Sequence, residues 1–350
     1  MKFIIKTLLA MMCALGLWEV ILENTIEKSP GFTSHPILGR INKPGTAVEG
    51  TEGFSRTKIN SLGMRGDEIL PKIKNEYRIL ALGDSNTKAL QVSDNKTYTY
   101  LLQDKLRSQS TLKLVNIING GRDGASPAYF IQLTDFYKSV IQPDFVIVEV
   151  DDVSFVDFMK DQGKQFHVIQ ENNTFKPVYL KNFSSDNALS KVVLKKFPQL
   201  SFLLEYSVIR VGGDNLRKAL SKENKSQDAD DQILKLKSKN NESLVDWTIQ
   251  QLKDKYKDKL VILYFPFIDY HSIKAEPSPV ETALKVSTKK YGVNLVNMRQ
   301  NFMKYYKSTH QPAFGFNNTV PGTGHINEIG HELIADRLEN FFNPEVSKVK

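Results

Sequence analysis

The chain has 350 residues and a formal net charge of +8, and 25% of its residues are charged. It contains no internal repeat or long low-complexity tract, and its composition is ordinary for a globular protein. Basic and acidic residues are interleaved, which predicts solubility and attraction to an anionic surface, not nucleic-acid binding. The single cysteine, Cys13, excludes an internal disulfide, and it excludes a thiol nucleophile or cysteine-based metal site in the rest of the chain.

Residues 1–22 have the pattern of a signal anchor or a signal peptide. Lys2 and Lys6 flank the first apolar residues, and the run that follows is apolar except for Glu19. No small-x-small cleavage site follows, which favours an uncleaved anchor and a membrane-anchored, extracytoplasmic protein of the periplasm or cell envelope. A lipoprotein is disfavoured because methionines precede Cys13, and a buried N-terminal helix is the remaining alternative.

Residues 23–70 predict an extended N-terminal tether, because proline and glycine interrupt them too often for a helix. Residues 71–155 and 240–345 alternate apolar strands with amphipathic helices, which predicts a parallel sheet covered on both faces. The predicted fold class is α/β, a three-layer α/β/α sandwich with a central, mostly parallel sheet. Its predicted strands are 78–82, 114–118, 145–150, 260–265 and 294–297, and its predicted helices are 96–108, 126–141, 244–256 and 279–291.

Residues 156–239 interrupt this alternation with aromatic, then apolar, then highly charged sequence. An insertion after the third strand lies near the carboxyl edge of the sheet, where open α/β folds place their sites. The segment predicts either a cap that shapes a substrate pocket or a stabilising subdomain and partner surface.

Gly83-Asp84-Ser85 directly follows the apolar run of residues 79–82. A strand that ends in a tight glycine turn, with serine at the start of the next helix, is one way in which α/β hydrolases present a nucleophile. The alternative for Ser85 is a plain helix N-cap. Asp84 is predicted to brace the turn, and Asn86 is a further candidate amide donor.

His325 follows a Pro- and Gly-rich turn and precedes a helix with apolar residues at helical spacing. Imidazole has the pKa that a general base needs near neutrality, so His325 is the candidate base for Ser85. The alternative is a structural loop histidine. His331 is predicted to pack inside the helix, because its spacing from His325 does not suit a metal pair.

These blocks resemble the SGNH (GDSL-like) hydrolase superfamily, in particular its membrane-anchored bacterial type. The motifs are residues 82–87, residues 119–126 and the Gly-His-x-Asn-x-x-Gly-His run that ends at His331, and residues 60–66 resemble the segment before the first block. The resemblance covers about residues 35–155 and 240–342. It implies a flavodoxin-like SGNH fold and a serine esterase with Ser85 as nucleophile and His325 as base, and it implies an oxyanion hole formed by the backbone N–H groups of Ser85 and Gly124.

Two positions depart from the pattern of the family. Gly322 stands where the aspartate that orients the histidine is usual, and Asp151-Asp152 stand where Asn-Asp is usual. An ionised aspartate offers no donor and repels an oxyanion, so Asp151 could donate only with a strongly raised pKa. Three states remain open: a dyad held by a backbone carbonyl, a triad completed by another carboxylate, or a weakened or lost activity. Asp151 and Asp152 are site carboxylates or braces of the serine loop.

The predicted function is hydrolysis of short acyl esters, with O-acetyl groups of an envelope glycan as the favoured substrate and no cofactor. An O-acyltransferase that uses the same residues is the close alternative, and a non-catalytic envelope protein that binds glycan or a partner is another. A metal-dependent hydrolase is disfavoured because the six histidines form no ligand cluster in the sequence. The expected partners are an acylated small molecule or glycan and the membrane; the sequence leaves the oligomeric state open.

Overall fold

A computed structural model describes residues 2–25, 31–50, 52–109, 114–155, 166–172, 174–179, 239–268, 270 and 276–346. In chain order the helices and strands are α1 (Lys2–Thr25), β1 (Phe32–His35), β2 (Gly39–Asn42), β3 (Gly45–Glu49), β4 (Ser55–Ile59), β5 (Tyr77–Gly83), α2 (Ser85–Lys88), α3 (Tyr98–Gln109), β6 (Val115–Gly121), α4 (Pro127–Gln132), α5 (Thr134–Val140), β7 (Phe145–Asp151), β8 (Phe166–Glu171), β9 (Thr174–Tyr179), α6 (Lys239–Tyr256), β10 (Leu260–Phe265), α7 (Pro279–Tyr291), β11 (Asn294–Asn297), α8 (Arg299–Thr309) and α9 (Glu328–Val346).

The centre of the fold is a five-stranded sheet in the order β11-β10-β7-β5-β6, and every pair in it is parallel. β5 and β10 are buried along their whole length, as expected for strands covered on both faces. The predicted α/β fold with a parallel sheet is confirmed.

Two hydrophobic cores lie on opposite faces of the sheet. Alternate residues of strand β5 pack into different cores. Leu80 and Leu82 belong to the core beneath α4, α5, α6 and α7, whereas Ile79 and Ala81 belong to the core beneath α3, α8 and α9. This alternation follows from the two-residue period of a strand. It gives the predicted three layers.

The predicted helix over residues 126–141 is two helices, α4 and α5, which meet at Leu133. Leu133 has φ −96° and ψ 9°, outside the helical region. The Thr134 hydroxyl donates to the carbonyl oxygens of Phe130 and Ile131, and such back-bonding bends helices.

Strands β1–β2 and β3–β4 form two antiparallel hairpins within the same unit as the sheet. The sequence predicts an extended tether there. Glycines with positive φ, among them Gly39 and Gly45, supply turns and strand ends, and their frequency is what indicates irregular chain in the sequence. Helix α8, which no sequence pattern predicts, follows β11.

Helix α1 belongs to a separate unit of the chain. Within it, residues 2–21 form a 20-residue span of mean hydropathy 1.9, none of which is buried. Its length and composition allow it to cross a membrane, although a signal sequence has the same properties. Of the predicted insertion, 156–239, the structure describes residues 166–172 and 174–179 and Lys239, the first residue of α6. Strands β8 and β9 in this part pair as a hairpin. The other residues of the insertion lie outside the described residues.

Candidate active site

Ser85 is the first residue of α2, directly after the turn that ends β5. A side chain at Gly83 would overlap the Thr87 hydroxyl and the Glu149 carboxylate, so only glycine permits this close approach. The Asp84 carboxylate accepts the backbone N–H of Asn86 at 2.7 Å and caps the helix. The turn therefore has the strand–turn–helix geometry that the sequence predicts for Ser85.

His325 lies on the loop before α9, at the other end of the chain. Its Nε2 is 2.9 Å from Ser85 Oγ, which is hydrogen-bonding distance for transfer of the serine proton. The next backbone N–H, that of Ile326, donates to Asn86 Oδ1 at 3.1 Å. Asn86 thus acts here through its oxygen, as an acceptor that holds the histidine loop beside the serine turn.

Glu52, in the loop between β3 and β4, completes the arrangement. Its Oε2 is 2.5 Å from His325 Nδ1, and its Oε1 accepts the backbone N–H of His325 at 2.7 Å. Asn318 fixes the loop, since its side chain accepts from Gly53 N–H and donates to the Gly50 carbonyl, both at 2.9 Å. Ser85, His325 and Glu52 therefore lie in the order of a nucleophile, a base and an orienting acid.

Glu52 changes the pKa of His325. Burial alone lowers the pKa of His325, but the hydrogen bond and the charge of Glu52 raise it above its ordinary value. A carboxylate in this position also fixes Nδ1 as the protonated nitrogen, which leaves Nε2 free to accept the proton of Ser85. The geometry corresponds to the second of the three predicted states, a triad completed by another carboxylate.

No local signal in the sequence marks Glu52, because it lies 273 residues before His325 and within the segment that predicts a tether. The structure also explains the glycine at the position where the family has aspartate. Gly322 has φ +84°, and a Cβ there would come within 2.9 Å of the Tyr270 ring. A side chain at that position would require the Tyr270 ring to shift, and its positive φ disfavours residues other than glycine.

The end of β6 and the loop that follows it, residues 119–126, are hydrogen-bonded to the serine turn, residues 83–87. We call residues 119–126 the glycine loop. Arg122 N–H donates to the Gly83 carbonyl at 2.9 Å, and Asn119 Nδ2 donates to the Thr87 carbonyl at 2.7 Å. Gly124 lies in this loop with φ +61°, in a turn closed by the hydrogen bond from Ala125 N–H to the Arg122 carbonyl. The loop is therefore attached to the turn that carries the candidate nucleophile.

Three carboxyl groups lie together beneath the serine turn: Asp84, Asp151 and Glu149, the last of which no sequence pattern indicates. Their potential ligand oxygens are all within 4.8 Å of one another, a spacing that suits either a cation or shared protons. Within the described part of the chain, Glu149 Oε1 is buried without a hydrogen-bond partner, although Oε2 accepts Asp84 N–H at 2.8 Å. A proton on Glu149 removes the charge from this buried group and relieves the repulsion among the three groups.

The pKa values of Glu149 and Asp151 are both raised, which agrees with shared protons in this cluster. Burial, followed by the charges of Asp84 and Asp151, raises the pKa of Glu149 well above its usual range. Burial and the charge of Asp84 raise the pKa of Asp151 to about 7. Near and below neutral pH, the Asp151 position therefore carries much less negative charge than an ordinary aspartate would.

The described hydrogen bonds of Asp151 and Asp152 are with residues of nearby loops and of strand β10. Asp151 Oδ1 accepts from Val153 N–H and from the N–H and hydroxyl of Ser154, within its own loop. Asp152 accepts from the Tyr264 hydroxyl at 2.7 Å and from Phe267 N–H at 2.8 Å. These described contacts lie within the loop after β7 and with residues of and beyond β10, not with the serine turn of residues 83–87.

His331 is completely buried in α9, and its Nδ1 accepts Tyr98 N–H at 3.3 Å. Burial lowers its pKa to about 3, so the imidazole is neutral at physiological pH. It packs against α3, in the structural role that the sequence predicts.

No protein-family model and no curated protein matches this chain. Solved structures do. An alpha/beta hydrolase, LAE5, from the metagenome of Lake Arreo has 14% identity and a TM-score of 0.42, with 78% of this chain and 95% of that chain covered. An acetyl xylan esterase from Geobacillus stearothermophilus has 11% identity and a TM-score of 0.42, with 77% of this chain and 97% of that chain covered.

A member of the lipolytic protein G-D-S-L family from Veillonella parvula has 13% identity and a TM-score of 0.39, with 76% of this chain and 99% of that chain covered. Because these identities and TM-scores are low, the roles of Ser85, His325 and Glu52 rest on the geometry of this site.

Proposed function

We propose that the protein is a serine esterase that cleaves acyl esters through an acyl-enzyme on Ser85. The observation that supports this is the continuous hydrogen-bonded series from Ser85 Oγ to His325 Nε2 and from His325 Nδ1 to Glu52. A plain helix N-cap at Ser85 would not require an acid on the far side of a histidine that contacts it.

In the proposed reaction, Ser85 Oγ attacks the ester carbonyl while its proton moves to His325 Nε2. Glu52 stabilises the resulting imidazolium, and the backbone N–H groups of Ser85 and Gly124 donate to the oxyanion. The C–O bond to the alcohol breaks, and the alcohol leaves with the proton from His325. Water then attacks the acyl-enzyme with His325 again as base, which releases the acid and restores Ser85.

The finer assignments are also proposals. The acyl group is short, and an O-acetyl ester of an envelope glycan is the proposed substrate. Helix α1 is proposed to anchor the enzyme at the membrane, and its length and hydropathy support that anchoring. The extracytoplasmic side is proposed from the pattern of the N-terminal sequence alone. Transfer of the acyl group to a sugar hydroxyl uses the same residues and differs only in the acceptor.

The test is labelling of the full-length protein, purified in mild detergent, with a fluorophosphonate probe. We expect modification at Ser85, located by mass spectrometry, together with turnover of a nitrophenyl acetate ester. Ser85→Ala is expected to lose both while it keeps the melting temperature of the wild type. A folded wild-type protein that neither labels nor turns over ester would exclude the esterase and favour the non-catalytic binding protein.

Acceptor competition separates hydrolysis from transfer. Product analysis with a soluble acetylated oligosaccharide as donor and an unacetylated one as acceptor is expected to give free acetate. Acetylated acceptor as the main product would instead identify a transferase that uses the same serine.

A further inference from the structure

Lys88 is a buried charged residue in the helix that begins with Ser85. Its side chain is only 1% exposed, and lysine is almost never buried to this degree without a partner. Burial lowers the pKa of the Lys88 ammonium, and the charge and hydrogen bond of Asp123 oppose that effect. A charge that is this costly to bury depends on its partners for compensation.

The ammonium joins three segments of the chain. Lys88 Nζ donates to Asp123 Oδ2 at 2.6 Å and to Asn42 Oδ1 at 2.8 Å. Asp123 belongs to the glycine loop after β6, and Asn42 is the last residue of β2. Strand β6 also ends against the same helix, since a Cβ on Gly121 would overlap the backbone nitrogen of Lys88.

Asp123 occupies the second position of a four-residue turn. The turn is closed by the hydrogen bond from Ala125 N–H to the Arg122 carbonyl at 3.0 Å. Its third residue, Gly124, has φ +61°, and Asp123 is not among the described residues with positive φ. This combination of signs is that of a type II turn, in which the central peptide has the orientation opposite to that of a type I turn.

The central peptide of this turn carries the N–H of Gly124. The orientation of that peptide decides where the N–H points, and the side chain of the residue before it is held by Lys88. The carboxylate of Asp123 is about half exposed, whereas the ammonium is enclosed, so the lysine is the fixed member of the pair.

We propose that Lys88 is a positioning residue that aims the N–H of Gly124 at the oxyanion through its ion pair with Asp123. The inference rests on the proposed function of the site. A donor that is misaligned by a fraction of an ångström binds the substrate carbonyl almost as before but stabilises the tetrahedral oxyanion poorly. Loss of Lys88 therefore lowers kcat and leaves KM nearly unchanged.

The experiment compares Lys88→Met, Asp123→Asn and the double variant with the full-length wild type, in the turnover of nitrophenyl acetate. Lys72→Met is the matched control, because Lys72 also makes an ion pair, with Asp144 at 2.5 Å, but at the amino end of β7. We expect Lys88→Met to lower kcat by about 100-fold with KM within about twofold of the wild type. Lys72→Met is expected to keep the wild-type kcat.

A boronic acid inhibitor that forms a tetrahedral adduct on Ser85 gives a second readout. Its inhibition constant in Lys88→Met is expected to rise by about the same factor as kcat falls, because both depend on the oxyanion donor. If the two residues act as a pair, the double variant is no slower than Lys88→Met alone. A purely structural lysine would lower melting temperature without this correlation.

The outcomes are separable from failure of the proposed function. Wild type and Lys72→Met must first show turnover that Ser85→Ala abolishes; if they do not, it is the esterase assignment that fails. Given that turnover, a folded Lys88→Met with wild-type kcat and inhibitor binding overturns the role of Lys88. If Lys88→Met does not fold, Asp123→Ala decides, because its side chain is half exposed: wild-type kcat there overturns the proposal, and a kcat loss with unchanged KM supports it.

Discussion

Glu52 and His325 are 273 residues apart in the chain and are joined by two hydrogen bonds, one to the imidazole Nδ1 and one from the backbone N–H. The second bond matters because it fixes the carboxylate against the backbone of the residue whose ring it orients. The acid therefore cannot rotate away without breaking both contacts.

Replacement of Glu52 by glutamine is expected to lower kcat by about 10²–10⁴-fold, because the amide does not stabilise an imidazolium and can favour the wrong tautomer. The Glu52 interaction raises the pKa of His325, so its loss also moves the acidic limb of the kcat/KM profile to lower pH. The measurement is a pH–rate profile of Glu52→Gln and Glu52→Asp. An unchanged kcat in Glu52→Gln would return the site to a Ser85–His325 dyad.

Replacement of Gly324 by alanine is expected to lower kcat nearly as much as loss of the acid. Gly324 has φ +79°, and a Cβ there would overlap Glu52 Oε1, which displaces the carboxylate from His325. Gly292→Ala is the matched control, because Gly292 also has a positive φ, +61°, but nothing lies within 4 Å of its added Cβ. Steady-state kinetics and melting temperature of both variants separate loss of the acid from backbone strain, which both share.

Replacement of Asp151 by asparagine is expected to flatten the dependence of stability on pH. The folded pKa of Asp151 is raised to about 7 from 3.8, so the native state holds a proton that the unfolded state has lost. The resulting stabilisation is present below the unfolded pKa and is lost as pH rises through the folded pKa, at about 1.4 kcal/mol per pH unit in that window.

Urea unfolding between about pH 4 and pH 8 is the measurement for this variant, since denaturant midpoints report stability directly. The asparagine keeps the acceptor oxygen for the loop N–H groups and carries no charge. Its free energy of unfolding relative to wild type is expected to increase with pH across this range, and a constant difference would show that Asp151 titrates normally.

Replacement of Arg65 by methionine is expected to destabilise the fold by about 3 kcal/mol. The buried guanidinium donates to the carbonyl oxygens of Lys88, Ala89 and Val92, which lie at and beyond the end of α2. Arg65→Lys supplies the charge without the planar set of donors and is expected to recover only part of the loss. Wild-type stability in Arg65→Met would show that these carbonyls find other partners.

The sheet could be predicted from the sequence because its strands are short apolar runs bounded by turns. The predicted strands 260–265 and 294–297 coincide with β10 and β11, and the others differ by a few residues at their ends. The interruption between α4 and α5 could not be predicted. Thr134 bends the helix by a hydrogen bond from its hydroxyl to a helix carbonyl, and the apolar periodicity contains no sign of that bond.

Ser85 and His325 could be predicted for a similar reason: each lies next to a turn whose residues are distinctive. Glu52 and Glu149 have no such surroundings. Glu149 lies within an apolar strand and reaches the serine turn only when β7 lies beside β5. Glu52 reaches the imidazole only when the β3–β4 loop meets the loop before α9. Contacts over such separations are set by topology, not by local sequence.

The placement of the acid also bears on when the protein can react during its own synthesis. A ribosome delivers Glu52 and Ser85 early and the histidine only near the end, because domains emerge from the N-terminus onward. Until residue 325 is available, the proposed nucleophile has no base and the proposed acid has no ring to orient. Under the proposed mechanism, a nascent or prematurely terminated chain therefore carries an unactivated hydroxyl, and reactivity requires the loop that carries His325 to close against the β3–β4 hairpin.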